Sequence, residues 1–182
     1  MADLSAPGRL DARLIGPGAS NGERVLCYGA AFAGVALSVA VAVAHGRLSA
    51  LAILVIAAVA LDLYGGAVVN ATATAKRWWH RPGRTARHHL TFVVCHVQPF
   101  LLALVVPGFG WAAAGASYAV VVVSAAVVLT VPTRLRRPAA FATAVLALTA
   151  VTALTAVPAE LSWFLPVLLI KLLLAHLLFE KE

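Results

Sequence analysis

Six apolar runs, each close to the roughly 17–25 residues that a spanning helix needs, divide this sequence at about 25–44, 49–72, 89–106, 111–131, 139–157 and 161–178. Nothing else constrains the fold as strongly. In hydrocarbon every backbone N–H and C=O must find its partner inside the protein, and a helix achieves this within one segment. The chain is therefore expected to be an all-α membrane protein, a bundle of six transmembrane helices. Its composition agrees, with 62% hydrophobic and only 12% charged residues, against about 25% charged in soluble domains. The mean hydropathy is +0.94. The third and last runs are the shortest and would cross with little tilt, or with flanking residues reaching for the interface.

Residues 1–24 are polar, contain Gly and Pro and mix both charges. They read as a mostly disordered tail. The apolar run after them is too long for a cleavable signal. Residues 25–178 form the single transmembrane domain and 179–182 a second short tail. Cys27 and Cys95 both fall in predicted helices, so no disulfide framework is implied.

The net charge of +7 does not point to nucleic acid, because of where it sits. With six crossings, twelve lysines and arginines share one side with both termini, and only Arg47 lies on the other. Cytoplasmic loops carry that excess, so both termini are expected in the cytoplasm of a bacterial inner-membrane type of topology. Trp78 and Trp79 belong to the inner interface, Trp111 and Trp163 to the outer one. Residues 107–110, Pro138 and Pro158 are expected to punctuate the connections.

Within this apolar frame Asp62 stands out. A carboxylate near the middle of a span costs ~2.5–3.5 kcal/mol on insertion scales, so intramembrane acids are functional candidates. At 1.5 Å of rise per residue Asp62 lies roughly 15 Å deep, with His96 and Lys171 each roughly 10 Å deep. Three ionisable groups on three helices thus share nearly one level. On helical phase Asp62 shares a face with Gly65 and Gly66, with Asn70 at its edge, which puts it on the packed side of its helix. Gln98 is expected to point away from His96. Pro99 frees the Cys95 carbonyl beside His96, and Pro166 frees that of Ser162. Lys171 and His176, five apart on an α-helix, are expected to serve different pockets.

These positions suggest a polar cavity open to the cytoplasmic side. Asp62, His96 and Asn70 are its candidate catalytic groups, with Tyr64 and Lys171 on the substrate. Arg77, His80, Arg81, Arg84 and His89 are candidates for a phosphate or diphosphate head. The plain structural alternatives are an ion pair of Asp62 with Lys171, snorkelling of Lys171, glycine packing at Gly65-Gly66, and a basic loop at 76–87 that sets topology and attracts anionic lipid headgroups.

Four function classes follow. An intramembrane acid–base enzyme would use Asp62 as general acid, with His96 relaying the proton, to isomerise, cyclise or hydrolyse a lipid or isoprenoid-like substrate. A proton-coupled carrier of a small solute or ion needs the same groups, although helices 1–3 and 4–6 do not repeat each other, and a carrier this small would favour a homodimer. A haem would need two facing axial histidines, and His96, His176 and His45 differ in depth. A di-iron centre would need a denser set than six histidines, so neither cofactor nor metal is expected. A non-catalytic assembly subunit is the last class.

Overall fold

A computed structural model describes residues 14–179, and they are all-helical. Among them six helices are long and apolar enough to cross a membrane: Asn21–His45, Ala50–Ala71, Ala86–Val105, Trp111–Thr130, Thr133–Leu154 and Ala159–His176. We number the elements α1 (Asn21–His45), α2 (Ala50–Ala71), α3 (Ala73–Trp79), α4 (Ala86–Val94), α5 (Gln98–Val105), α6 (Trp111–Thr130), α7 (Thr133–Leu154) and α8 (Phe164–Leu169). A short 3₁₀ turn at Ala159–Leu161 precedes α8, and a π turn at Ile170–His176 follows it.

The last span is the axis of the bundle. In its apolar window 61% of residues are buried, against at most 39% in the other five. Its π turn packs on α2, α6 and α7. The buried polar side chains Lys171 and His176 both belong to this span.

Helix starts follow local chemistry. Ser20 and Glu23 form a capping box at α1, which satisfies two orphan N–H groups. Ser49 Oγ accepts from Ala52 N–H at 3.2 Å. Thr72 ends α2 by donating to the Val69 carbonyl at 2.8 Å and starts α3 by accepting from Ala75 N–H at 3.1 Å.

Three expectations about the chain's course are corrected. Within the tail expected over 1–24, Ile15, Gly16 and Ala19 are buried while Leu14 stays exposed; residues 1–13 lie outside the described residues. Ile15 is 1% exposed and packs with Cys27, Val68 and Val69, and Glu23 holds the start of α3 through Thr74 N–H and Oγ. Pro138 does not punctuate a connection. It lies inside α7, near its start, where most of the helix continues beyond the one bond a proline removes. The third span is not continuous: it breaks at 95–97, between α4 and α5. Pro99 has no N–H, so the Cys95 carbonyl accepts from Val97 N–H at 3.0 Å and Tyr118 Oη caps the Val94 carbonyl at 2.8 Å. Freed carbonyls inside a membrane need partners of this kind.

Candidate functional site

Asp62 projects from the middle of α2 and meets Lys171 from the π turn, Nζ to Oδ2, at 2.7 Å. The same ammonium donates to the Asp62 backbone carbonyl at 3.1 Å. Gln98 Nε2 donates to Oδ2 at 2.9 Å. The last contact reverses the phase expectation, because the break at 95–97 resets the helix before Gln98. Lys171 is almost wholly buried, whereas the Asp62 side chain is 48% exposed. Asp62 therefore does not lie on a closed, packed face. It stands at the edge, with the ammonium behind it and open space in front.

The open space is two clefts, of about 200 and 390 Å³, that share Leu14, Ile15, Asp62, Gly66 and Val69. The smaller adds Asn70, Trp78, Trp79, Phe92 and Lys171. The larger runs along α1 past Tyr28, Ala31 and Phe32. Asn70 is 5% exposed, and its Nδ2 has no hydrogen-bond partner among the described residues. A buried amide donor left unpaired costs about 1–3 kcal/mol. Here it lines a cavity beside an ion pair.

His96 lies in the break between α4 and α5. Its Nδ1–H donates to the Phe92 carbonyl at 2.6 Å. The Phe92 ring then leans on His96 at 4.6 Å and stacks on His176 at 4.0 Å.

Beyond Phe92 lies a second polar group that sequence reasoning had divided. His89 Nδ1 and His176 Nε2 share a hydrogen bond of 3.2 Å. His80 stacks on His89 at 4.5 Å, and its Nε2–H donates to the His176 carbonyl at 3.0 Å. Lys171 and His176 stand in separate polar groups on either side of Phe92, although the spacing argument for that assumed an α-helix. In a π turn bonds close i→i+5, so residues five apart come close to one above the other. Both therefore face the side of α2 and α4. Burial lowers the His80 pKa from its ordinary 6.5, the charges of Lys76 and Arg136 act in the same direction, and the bond to the His176 carbonyl opposes them. Lys76 Nζ donates to the carbonyls of Ala175, at 3.1 Å, and Leu178, where helix ends leave acceptors unmet.

Several expected site residues are elsewhere. Tyr64 is not among the lining residues of either cleft. Its ring lies over Gly34, where a Cβ would come within 2.6 Å of Tyr64 Cβ, and 5.5 Å from the Trp163 ring. Arg77 donates to Thr74 Oγ at 3.2 Å. Arg81 covers the Trp78 ring at 3.9 Å and donates to the Trp78 carbonyl. These two arginines serve their own helix. Arg84 faces Trp79 at 5.7 Å. The signal that could have found Gln98 was Pro99 itself, since a proline one residue on announces a change of helix phase.

Among the described residues no group of three His, Cys, Asp or Glu side chains is arranged to hold a metal ion. What the site offers is a carboxylate and an ammonium in contact, a free amide donor and a nearby imidazole. Comparison with protein-family models, curated proteins and solved structures finds no match to this chain, so its chemistry has to be read from its own residues.

Proposed function

We propose that this multi-pass membrane protein is an intramembrane acid–base catalyst that takes a lipid-like or isoprenoid-like molecule sideways from the bilayer. Asp62 accepts a proton, Lys171 compensates its charge, Asn70 holds a polar atom of the substrate, and His96 relays the proton. Taking a proton at one atom and returning it at another is what isomerisation or cyclisation requires. The observation that carries this reading is the unpartnered Asn70 amide lining a cleft that contains both Asp62 and Lys171. On the charge count, the site lies toward the cytoplasmic half of a bacterial inner-membrane type of bilayer, with both termini inside.

Mass spectrometry of lipids that co-purify with the protein tests it. Wild type should retain a lipid species enriched over the bulk membrane, Asn70→Leu should lose it, and Asp62→Asn should keep it without incorporating deuterium from D₂O. Equal lipid profiles in wild type and Asn70→Leu would defeat the proposal.

A second reading, proton-coupled carriage, is supported by the succession Asp62, Lys171, His96, His176, His89 and His80. It requires protons to pass Phe92, which separates the two polar groups. Solute uptake into proteoliposomes that follows a pH gradient would favour it.

A further inference from the structure

A third cavity lies on the other side of Trp79 and Phe92 from the smaller cleft at Asp62, with those two rings 5.1 Å apart between them, and the three spaces differ in character. The third has a volume of about 810 Å³ and shares Trp79 and Phe92 with the smaller cleft. Its remaining lining is Arg84, Thr85, Ala86, Arg87, His88 and Thr91, with no carboxylate among the described residues. The third cavity is thus basic, the smaller cleft carries Asn70 and the ion pair, and the larger cleft passes Tyr28, Phe32 and Leu61.

The basic cavity is not consumed by internal contacts. The Arg84 side chain makes a cation–π contact with Trp79, and no hydrogen bond or ion pair among the described residues. Arg87 is exposed and has no partner among the described residues. Both lie at the start of α4, whose first N–H groups favour an anion as well. His88 is already occupied, because its Nδ1 accepts from Thr85 N–H at 3.2 Å.

We infer that these spaces bind one amphiphile with a phosphate or diphosphate head, the head on Arg84 and Arg87 and the apolar chain running past the Trp79 and Phe92 rings and Asp62 toward Phe32. This rests on the lateral-cleft reading above and names its substrate class. It also narrows the head-binding set. Arg77, Arg81, His80 and His89 hold other partners, while Arg84 and Arg87 share one cavity. Arginine forks suit phosphate oxygens and give about twice the strength of neutral hydrogen bonds.

The test uses full-length protein in phosphatidylcholine nanodiscs, with farnesyl diphosphate, farnesol and inorganic pyrophosphate as probes of binding. Farnesyl diphosphate should bind at least about tenfold more tightly than farnesol or pyrophosphate, a difference that one charge-assisted pair can supply. Arg87→Gln and Arg84→Gln should each remove most of that advantage and leave farnesol unchanged. Arg134→Gln, outside these spaces, should alter nothing. Arg87 is exposed, so its substitution leaves folding intact. Phosphatidic acid doped into the nanodisc should compete if the natural head belongs to a two-chain lipid, and should not if the chain is prenyl-like.

Equal binding of farnesol and farnesyl diphosphate overturns the inference, as does an Arg134→Gln effect as large as that of Arg87→Gln. The two readings separate cleanly. If Asn70→Leu weakens farnesol and the arginine variants spare farnesyl diphosphate, the cleft stands and the head site falls. If the arginine variants weaken only the diphosphate and Asn70→Leu changes neither probe, the head site stands and the cleft reading falls.

Discussion

Lys171 reaches Asp62 by lying across Gly66. A Cβ on Gly66 would stand 2.5 Å from Lys171 Cε and 2.9 Å from Nζ. The glycine is thus part of the ion pair, although it contributes no atom to it.

Gly66→Ala is the first prediction. Elsewhere in a helix, Gly→Ala gains up to about 1 kcal/mol from backbone propensity. At Gly66 the Cβ must displace Cε and Nζ, the mobile end of the Lys171 side chain, so the weakened ion pair to Asp62 should cancel that gain. Gly115→Ala, with nothing near its Cβ, is the control and should keep that gain. Thermal unfolding in one detergent compares them, and equal melting temperatures for the two variants would refute the account.

Removal of one charge tests the pair itself. Breaking a fully buried pair costs about 3–5 kcal/mol, and the 48% exposed Asp62 side chain lies in a span, where bulk water does not screen it. Asp62→Asn should be the worse single change, since it strands the buried ammonium. Lys171→Met strands only the more exposed carboxylate. The double variant should recover much of the loss, as coupled neighbours do. Additive losses in denaturant or thermal unfolding would show that the two charges act independently.

The spans were legible because their cause is local: each apolar run must satisfy its own backbone, and hydropathy records that directly. That Lys171 can reach Asp62 followed from counting residues. Which way the side chains turn was less accessible, because phase depends on unbroken α-helix. The break at 95–97 swung Gln98 onto Asp62, and the π turn set His176 on the same side as Lys171. Ile15 was misread for another reason. A few buried residues in a Gly/Pro-rich segment leave no periodic pattern, and its partners Val68 and Val69 are remote in sequence.

His80 supplies a pH prediction. Its folded pKa lies below the ordinary 6.5, so the unfolded chain takes up the proton first as pH falls. The stability it contributes is complete above about 6.5 and is lost as pH drops through the folded value. His80→Asn keeps a donor for the His176 carbonyl and removes the titration. Its melting temperature should therefore fall less than that of wild type between about pH 7.5 and 5. Parallel pH profiles would place the sensitivity in other groups.

Phe92 decides whether the two polar groups communicate. Its ring stacks on His176 at 4.0 Å and leans on His96 at 4.6 Å, so an apolar face stands between the imidazoles. Protons move along hydrogen bonds, and an aromatic ring offers none in their path. Proteoliposomes of wild type should therefore hold an imposed pH gradient. Phe92→Leu should hold it too, at a stability cost of about 0.5–1.5 kcal/mol for the lost ring contacts. Phe92→Gln places donors and acceptors in the gap and should dissipate the gradient several-fold faster. A wild-type protein that already collapses the gradient would favour carriage over catalysis, and a folded Phe92→Gln protein that holds it would show that the ring is not the barrier.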